Sequence, residues 1–534
     1  MFYSFFWLII DKINNNFRGP MSNNNKLHLN VHTVFLLILF CIMNCSIWAN
    51  SQNIDDKQSD TLNQSIAKPI NENATERWID APTLEIRGSS VADFAEAYEL
   101  ALRVVEYNMN NGLIEAGKGY GTWTRDTSIN AWNATSLLIP AMTKKTLLSQ
   151  TVSSPNGDII GGQFWDKVIW IIAAYNYVQV TGDKEFLAKA YLVSLQTLNE
   201  MHSTQFDQQT GLYRGPAVYA DGISAYPDPL FDDSLGDNIL SYPDGYKIEA
   251  LSTNSVYYGA LKATIAMANL LEITDINVIE LKQQSTDLRN SIQDRLWIKS
   301  QKRFAYFLDV NGSINNTQES LGEAIAILLN VANRDQIDCM FNHVHITPWG
   351  VPNTWPLYNR YFDPQKIRFG RHNGTIWPFI NAFWVHAAAL YDRPKFFSKE
   401  FIRMTQLAIN SQDFREMYHP YLGIPYGGFQ AGKNWDSIQH QTWSATGYLR
   451  IVYQGLFGIN FKDNGLYLNP FIPSTLGVRS ITLKNLHYRN MELNIYVKGT
   501  GNKIIKCELD GRRQQSTFIS SMLTGKHSIY IALK

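Results

Sequence analysis

FWDKVIWIIAAYNYVQV, residues 164–180, decides the fold, because this stretch is apolar on nearly every face of a helix. A helix that is apolar all round is buried, whereas a surface helix carries its apolar residues on one stripe. The next stretch, KEFLAKAYLVSLQTLNEM at residues 184–201, has the stripe of a surface helix. Together the two stretches predict a helical hairpin with one buried and one outer helix.

The helical period recurs along most of the chain. Apolar residues return at steps of three and four from Val91 onward, and similar helical runs cover residues 255–273, 319–331, 376–391, 399–410 and 444–457. The loops between them are long and aromatic, as at 203–247 and 345–375, which is typical of ordered functional loops. We therefore predict a mainly α fold, in which helical hairpins form a barrel over residues 82–457.

The pattern changes after residue 457. Short alternating runs, such as SITLKNLHYR at 480–489 and HSIYIALK at 527–534, are separated by turn residues. Such runs predict antiparallel strands. We expect residues 458–534 to form a small antiparallel β-sandwich domain behind the barrel.

The first 81 residues are expected to lie outside the barrel. Lys26 and His28 precede the apolar run VFLLILFCIM, and a candidate cleavage site follows Ala49, so residues 1–49 are interpreted as an export signal. The alternative is a retained single anchor, but the run is short of the ~20 apolar residues that a span needs. Residues 50–81 are polar and aperiodic and are interpreted as a linker. We predict an exported protein, periplasmic or secreted, with no stable membrane span in the mature chain.

The composition narrows the choice of partner. Forty-seven basic residues balance forty-seven acidic ones, so no net field favours nucleic acid or an anionic membrane. The chain holds 14 Trp, 27 Tyr and 27 Phe. Most of these rings will pack in the core, but aromatic walls are also typical of ligand pockets, and flat rings suit the apolar faces of sugars. We predict a carbohydrate partner, no nucleic-acid partner, no metal and no cofactor.

The stretch GYGTWTRDTSINAW, residues 119–132, places an Arg-Asp pair between two tryptophans. Charged side chains are seldom buried unless they are paired. Arg125 and Asp126 therefore either form a structural ion pair or line a polar pocket with aromatic walls, and we favour the pocket.

Two further loops carry polar side chains among aromatic residues. Residues 211–233 include Arg214 and, in an Asp-Gly pair, Asp221, although turn formation alone explains such a pair. Residues 368–379, RFGRHNGTIWPF, place His372 and Asn373 before Trp377. For His372 the simpler alternative is that it caps the helix that follows.

A last loop, residues 414–445, surrounds a glycine-rich turn. It carries Glu416, Gln441 and Trp443. A solvated loop carboxylate is the alternative interpretation of Glu416.

Five segments resemble one known group of enzymes. YGTWTRDTSI at 120–129 resembles the Trp-x-Arg-Asp-Thr segment of glycogen-debranching amylo-α-1,6-glucosidases and, more loosely, of glucoamylases. Four more segments are similar to theirs in the same order: FWDKVIWIIAAYNYVQVTGD at 164–183, STNSVYYGAL at 252–261, RHNGTIWPF at 371–379 and HQTWSATGYLR at 440–450. The resemblance covers residues 82–457 and implies the six-hairpin, or (α/α)6, glycoside hydrolase superfamily.

The resemblance also implies a sugar-binding site. Arg125 and Asp126 would hydrogen-bond the outer hydroxyl groups of the sugar whose bond is cut, with Trp123 and Trp165 as walls. The chemistry fits, because a carboxylate accepts from two hydroxyls and a guanidinium donates in a fixed fork. The other candidate sugar-binding residues are Asp166, Arg214, Asn254, His372, Asn373, Trp377, Gln441 and Trp443.

The activity that the resemblance favours is an inverting glycoside hydrolase for α-linked oligosaccharides or polysaccharides, with exo-acting cleavage of α-glucosides as first expectation. Such an enzyme holds an acid and a base ~6.5–9.5 Å apart, with water between them. Asp221 is the candidate acid. Its competitors are Asp232, Asp233, Asp237 and Glu249. Glu416 is the candidate base, because the family base lies upstream of the Gln-x-Trp-Ser-Ala segment.

The sequence also departs from the family pattern. Ser252 stands where the family has Glu, and the Thr-Trp-Met-Asp stretch with the family acid is not found. Two alternatives therefore stay open. One is a phosphorylase, whose phosphate would need basic residues such as Arg368, Arg371 and Lys433. The other is a sugar-binding protein that kept the barrel and lost catalysis.

Overall fold

The computed structural model describes residues 79–89, 92–217, 244–358, 362–363, 366–430 and 433–534, without the side chains of residues 92, 164, 165, 363, 430 and 433. Within these residues, twelve α-helices have seven residues or more. In chain order they are α1 Ala92–Tyr107, α2 Thr124–Asn130, α3 Pro140–Leu148, α4 Phe164–Thr181, α5 Lys184–Gln205, α6 Leu251–Leu270, α7 Ile276–Leu296, α8 Ser320–Leu328, α9 Arg334–His343, α10 Pro378–Leu390, α11 Pro394–Ser411 and α12 Thr442–Arg450. The π-helical segments Ala131–Thr135 and Ile451–Leu456 continue α2 and α12, and a turn of helix at Ser136–Leu138 follows the first of them.

The even-numbered helices pack in a closed ring. Each one contacts the next, α2 on α4, then α6, α8, α10 and α12, and α12 contacts α2 again. Odd-numbered helices lie against them, as α5 does on α4, α7 on α6 and α11 on α10. The prediction of a mainly helical region is confirmed.

The burial of each helix follows from its place in this arrangement. Helix α10 is buried from Pro378 through Ala388, on every face. Helix α7 buries positions three, four and seven residues apart, from Val278 to Leu296, and exposes the rest. Helices with an all-round apolar surface can be covered only from several sides, so they occupy the ring, and amphipathic helices cover its outside.

Nine strands form two sheets next to the helices. In chain order they are β1 Thr83–Gly88, β2 Ile459–Lys462, β3 Gly465–Leu468, β4 Val478–Tyr488, β5 Met491–Lys498, β6 Ile504–Leu509, β7 Arg512–Arg513, β8 Ile519–Ser520 and β9 Gly525–Leu533. The larger sheet has the order β1-β4-β5-β9-β6-β7, and the smaller has the order β2-β3-β8. Strands were therefore correctly predicted after residue 457.

The larger sheet corrects two details of that prediction. Strand β5 pairs with β9 in parallel, whereas every strand was expected to be antiparallel. The chain between them, residues 499–524, holds three other strands and is long enough for the return that a parallel pair needs. Strand β1 was not predicted, and it pairs antiparallel with β4, with Leu84 opposite Leu483.

Short strands also brace the loops between helices. They form the pairs Met109–Asn110 with Leu113–Ile114, Thr151–Ser154 with Gly157–Ile160, Phe206–Asp207 with Leu212–Tyr213, Trp297–Ile298 with Arg303–Phe304, Gln318–Glu319 with Thr354–Trp355, Phe362–Asp363 with Arg368–Phe369 and Phe429–Gln430 with Lys433–Asn434, and the triplet Glu249–Ala250, Phe307–Leu308 and Ile314–Asn315. These pairs satisfy backbone groups that would otherwise be unpaired in long loops.

Two hydrophobic clusters hold the structure together. One fills the ring between α2 and α10, and the other joins α1, α11 and α12 to both sheets. At the junction Phe397 of α11 lies 5.2 Å from Phe471, centroid to centroid. Ser398 Oγ and Thr475 Oγ1 are hydrogen-bonded at 2.6 Å in the same place. Among the described residues, none of the helices combines the length and the apolar character that a membrane span requires.

Candidate active site

The N-terminal ends of the ring helices lie together at one end of the ring. Residues at these ends contact one another from helix to helix: Arg125 Nη1 with Asp166 Oδ1 at 3.8 Å, the Ser252 amide with Glu319 Oε2 at 3.1 Å, the rings of Trp377 and Trp443 at 5.9 Å, and Gln441 Nε2 with Asp126 Oδ1 at 3.5 Å. Between α8 and α10 the loop residue Asn353 makes the link: its carbonyl accepts from the Ser320 amide at 3.0 Å, and its amide donates to the Thr375 carbonyl at 2.9 Å. Helix N-termini carry partial positive charge and stabilise carboxylates. This end of the ring can therefore hold several acidic side chains.

Arg125 and Asp126 begin helix α2, on the first turn after Trp123. Asp126 is 4% exposed and accepts the long 3.5 Å hydrogen bond from Gln441. Arg125 lies 3.8 Å from Asp166 on the first turn of α4, with both side chains largely buried. The structure thus brings together Arg125, Asp126, Asp166 and Gln441, all of them predicted from the sequence.

Glu416 lies in the loop before α12 and is 3% exposed. Both of its carboxylate oxygens accept hydrogen bonds from Arg371 Nη2, at 2.6 and 2.7 Å. The Glu416 amide donates to the Ile438 carbonyl at 3.0 Å, which joins the two sides of the loop. A buried carboxylate needs such a counter-charge, because an unpaired one is costly to desolvate. Glu416 is therefore not the solvated loop carboxylate of the alternative interpretation.

Aromatic rings surround the Glu416–Arg371 pair. Arg371 lies over the ring of Trp377 at 5.5 Å, and His372 stacks on the same indole at 5.1 Å. Trp443 stacks on Phe379 at 4.4 Å. The N-cap of α10 is Trp377 and no side chain caps it, so the capping role considered for His372 is not seen. His372, Trp377 and Trp443 all lie at the predicted site.

Two of the buried polar atoms at this end that have no hydrogen-bond partner among the described residues lie at the start of α12. They are Gln441 Oε1 and Trp443 Nε1, on residues that are 1% and 4% exposed. Gly117 lies so close to the first that a Cβ there would be 2.4 Å from Gln441 Oε1. Buried polar groups are normally satisfied, so an acceptor and a donor of this kind suit a bound hydroxyl group.

Two predicted sugar-binding residues serve the fold instead. The Asn254 amide group is fully used by the backbone: its oxygen accepts from the Tyr213 amide at 2.7 Å, and its nitrogen donates to the carbonyls of Tyr213 and Ala250. Asn373 bridges the amide and carbonyl of Tyr358 at 2.9 and 3.0 Å. Both are wholly buried, so the expectation that they bind sugar is corrected.

Two more predicted residues lie at the edge of the site. Arg214 is half exposed and pairs with Asp207 at the end of α5, so it serves a loop contact rather than the pocket. Trp123 is 53% exposed, and its Nε1 donates to the Tyr120 carbonyl at 2.8 Å. It lies on the rim and does not form a buried wall.

Two predicted site residues fall outside the described part of the chain. Asp221, the candidate acid, lies in residues 218–243. Trp165 lies on the first turn of α4, and its side chain is outside the description. Their roles stay predictions.

Comparisons with known proteins show the family of the chain. A family model, the mannosylglycerate hydrolase MGH1-like glycoside hydrolase domain, matches residues 166–444, which is more than half of the chain. The chain belongs to this glycoside hydrolase family. No curated protein sequence matches it.

Solved structures show the same fold at low sequence identity. A mannosylglycerate hydrolase of family GH63 from Thermus thermophilus, in complex with glucose, matches with a TM-score of 0.53 and 15% identity over 67% of this chain and 100% of its own. A sialidase matches with 0.62 and 14% over 81% of this chain. A GH78 rhamnosidase of a Bacillus species matches with 0.55 and 12% over 84%. The chain spans 40% of the length of the sialidase chain and 44% of the length of the rhamnosidase chain.

Arg371 is a residue of this glycosidase site that the sequence analysis did not assign to sugar binding or catalysis. It was considered only as a phosphate ligand, and it turns out to be the partner of Glu416. Its place next to His372 in the RHNGTIWPF segment was the available signal. The 45 residues between the two partners hid the ion pair.

Buried carboxyl groups of the glycosidase form a second set that sequence reasoning largely missed. Burial raises the pKa of Glu249, just before α6, to about 7. Burial also raises the pKa of Glu319, just before α8, to about 8. Glu249 Oε1 accepts from Thr210 Oγ1 at 2.7 Å. Of the acids that compete with Asp221, Glu249 is the one whose side chain is described, and its burial favours the protonated form.

The arrangement of potential metal-ligating side chains also bears on what this site can bind. The described residues contain no group of three or more His, Cys, Asp or Glu side chains that is arranged to hold a metal ion. The polar groups of the pocket are carboxylates, a guanidinium, an amide and an indole N–H, and these are groups that bind hydroxyls.

Proposed function

We propose that this glycosidase hydrolyses α-linked glycosides with inversion at the anomeric carbon and releases sugars from the end of an oligosaccharide or polysaccharide. The observation that carries the proposal is the buried, arginine-paired carboxylate of Glu416, at the same end of the ring as Arg125, Asp126 and Gln441. The proposed architecture is an (α/α)6 barrel over 82–457 and a small β-sandwich over 458–534, to whose larger sheet β1 also belongs.

Glu416 is the proposed base. A carboxylate has about four acceptor positions. Arg371 takes two of them, and the Ile438 amide lies 3.4 Å from Oε2, which leaves room for a water to be held and deprotonated. Arg371 balances the charge of this carboxylate while it is shielded from solvent.

Asp221 stays the proposed acid, with Glu249 as the described competitor. An acid must be protonated when it meets the leaving oxygen, and a pKa raised by burial provides this near neutral pH. Comparing Asp221→Asn with Glu249→Gln decides between them. The variant of the true acid should lose turnover of poorly activated glycosides and keep more of its activity on aryl glycosides, whose leaving group needs no proton.

Arg125 and Asp126 are the proposed contacts for the outer hydroxyls of the terminal sugar. Gln441 Oε1 and Trp443 Nε1 offer one acceptor and one donor beside them. The sugar is proposed to be glucose first. Mannose is added because a structural neighbour is a mannosylglycerate hydrolase.

A product analysis tests the proposal. The purified protein is incubated with α- and β-linked glucosides, mannosides and rhamnosides and with mannosylglycerate, with and without phosphate. We expect free sugar from an α-glycoside in both buffers. Proton NMR of the fresh digest should show the β-anomer first. If the α-anomer appears first, the enzyme retains configuration and Glu416 is not a simple base.

A phosphorylase is less favoured by the geometry. Of the cations proposed to bind phosphate, Arg371 is engaged by Glu416, and Arg368 lies over the Phe429 ring at 4.4 Å. The phosphate arm of the product analysis decides this case, because a phosphorylase releases sugar phosphate only when phosphate is present.

We also propose export, to the periplasm or beyond the cell, with residues 1–49 as the signal and 50–81 as the linker. The basic residues before a short apolar run support this. N-terminal sequencing of the mature protein tests it. A start near residue 50 is expected, and a start at Met1 or Met21 would contradict cleavage.

A further inference from the structure

Trp123 and Trp435 are the two most exposed tryptophan side chains in the described part of the chain, at 53% and 42%. The other described ring-helix tryptophans are buried, as Trp170 and Trp384 are at 0%. A single exposed aromatic residue needs no explanation. Two exposed indoles at the same end of the molecule need an explanation, because an indole buries a large apolar area when a ligand or another part of the protein covers it.

Both indoles are tied to the pocket by the backbone. Trp123 is the N-cap of α2, two residues before Arg125. Trp435 lies three residues before Ile438, whose carbonyl accepts from the Glu416 amide at 3.0 Å. Since a residue spans at most ~3.6 Å of chain, the backbone of Trp123 lies within about 7 Å of that of Arg125, and the backbone of Trp435 lies within about 11 Å of that of Ile438.

The loops that carry the two indoles contact each other. The Lys118 amide donates to the Gln439 carbonyl at 3.3 Å. Gly117, on the same loop as Trp123, lies against Ile438 and Gln441, where a Cβ would be 3.1 and 2.4 Å from their side chains. The two loops therefore form one continuous rim beside the pocket.

The Trp123 side of this rim is fixed in orientation. Trp123 Nε1 donates to the Tyr120 carbonyl at 2.8 Å, and the two rings lie 6.2 Å apart. Tyr120 is itself 43% exposed. An indole held by its own N–H presents its faces to a ligand without further loss of side-chain entropy.

We propose that Trp123, Tyr120 and Trp435 form a binding surface for sugar units on the leaving-group side of the cleaved bond. This inference rests on the proposed function and names its substrate class: oligosaccharides of three or more units rather than small glycosyl conjugates. The pocket binds the terminal sugar by polar contacts. The rim binds the following sugar units through contacts between its indole and phenol rings and the apolar faces of the sugars. Such contacts tolerate different sugars.

The first experiment uses chain length as its variable. Hydrolysis of α-glucosyl fluoride and α-mannosyl fluoride, whose leaving group is too small to contact the rim, is compared with that of maltose, α-mannobiose, maltotetraose and α-mannotetraose. Wild type should prefer a tetrasaccharide to the disaccharide of the same sugar. Trp123→Ala and Trp435→Ala should each lower kcat/KM for the tetrasaccharide by about 3- to 10-fold, with a change below about twofold for the glycosyl fluoride.

Two sets of variants control for damage to the fold. Trp123→Phe and Trp435→Phe keep a ring and should recover most of the lost kcat/KM. Tyr496→Ala removes a comparably exposed aromatic ring from β5, on the C-terminal sheet, and should change neither substrate. Equal losses on short and long substrates in the alanine variants would overturn the rim proposal.

A binding measurement separates this proposal from the proposed function. Calorimetric titration of Glu416→Gln with the two tetrasaccharides is repeated in the Trp123→Ala and Trp435→Ala backgrounds. Binding that weakens with either tryptophan supports the rim even if wild type hydrolyses nothing, in which case the proposed hydrolysis alone fails. Binding that is unchanged in both backgrounds, or absent from the start, overturns the rim.

Discussion

Two buried arginines mark opposite ends of the ring helices and lie in different surroundings. Arg371 lies at the N-terminal end and gives two hydrogen bonds to the Glu416 carboxylate. Arg450 is the last residue of α12 and is 1% exposed. Its Nε donates to His386 Nδ1 at 3.0 Å, and its Nη1 donates to the Trp132 carbonyl and to Asn133 Oδ1, both at 3.3 Å.

Arg450 is stabilised by aromatic rings and backbone. Its guanidinium lies 4.6 Å from the Trp132 ring and 4.7 Å from the Phe383 ring. Burial lowers its pKa to about 9, which still leaves it charged at neutral pH. Burial and the Arg450 charge lower the pKa of His386 far below its usual range, so the imidazole is neutral and can accept the hydrogen bond.

The contrast follows from helix direction. Helix N-termini favour anions, and this effect is confined to the first turn. Arg450 lies farther along, where α12 continues into Ile451–Leu456, and hydrogen bonds and ring faces stabilise its charge. Arg371 lies at the N-terminal ends with a carboxylate partner. One end of the ring is therefore built for stability, and the other holds charges that a substrate can use.

The strongest test of this contrast removes the carboxylate. Glu416→Gln should lower kcat by about 10²–10⁴, the usual share of a positioned base, and leave substrate binding intact. Glu400→Gln is the matched control, because Glu400 is also buried and arginine-paired, with Arg403 on α11. If Glu400→Gln loses as much kcat per folded molecule, the effect belongs to packing and not to catalysis.

The second test changes the geometry of a cation and keeps its charge. Arg125→Lys should lower kcat/KM about 10- to 150-fold, because a charge-assisted contact contributes ~1.5–3 kcal/mol and an ammonium lacks the guanidinium fork. Arg403→Lys, on the outer helix, serves as control and should stay near wild type. Activity of Arg125→Lys within twofold of wild type would place Arg125 outside the pocket.

The third test addresses the other end. Arg450→Met should keep kcat and KM within about twofold, but it should lower the thermal unfolding midpoint. The lost hydrogen bonds and ring contacts leave the Trp132 carbonyl buried without its partner, at a cost of about 1–3 kcal/mol. Differential scanning calorimetry at one scan rate measures the change in the unfolding midpoint. Loss of activity without loss of stability would show that this end of the ring also serves catalysis.

The smallest expected effect is on the pH dependence of the unfolding midpoint. Burial raises the pKa of Glu319 to about 8, from an ordinary value of 4.5. Its contribution to stability is therefore complete below pH 4.5 and is lost as pH rises through 8. The unfolding midpoint of wild type should fall between about pH 5 and 9, and that of Glu319→Gln should fall less. Glu185→Gln, at an exposed carboxylate, should follow wild type, and a Glu319→Gln curve parallel to wild type would refute the assignment.

The sequence predicted the helices whose apolar pattern is strong. Residues 164–180 and 184–201 became α4 and α5 because burial dictates their periodicity. Helices α7 and α9 were missed, since a thin apolar stripe on a polar helix gives little signal. Helix α2, with the sequence TRDTSIN, was interpreted as a loop, because its buried residues are mostly polar. Local rules of this kind fail most often at functional sites.

The candidate site was predictable in its segments but not in its contacts. The segments that hold Asp126, Asp166 and Gln441 were predicted to form the site, and these three side chains do lie at one end of the ring. Asn254 and Asn373 were misassigned because the side-chain amide of an asparagine can hydrogen-bond either to backbone groups or to a ligand. The spacing of residues in the sequence does not distinguish these two roles. The Arg371–Glu416 pair depends on the packing of the consecutive ring helices α10 and α12, and its separation of 45 positions leaves no local trace in the sequence.

The pairing of β1 with β4 can form only after the ribosome has synthesised most of the chain. Roughly 390 residues separate Gly88 from Val478, and a ribosome adding ~5–20 residues per second needs about 20–80 s to supply them. For all that time β1 offers unpaired backbone groups while the helices behind it are already being made. An unpaired edge is a template for wrong partners. We therefore expect the yield of folded protein to depend on translation speed, because the edge strand of the sheet precedes the helices and its partner strand follows them.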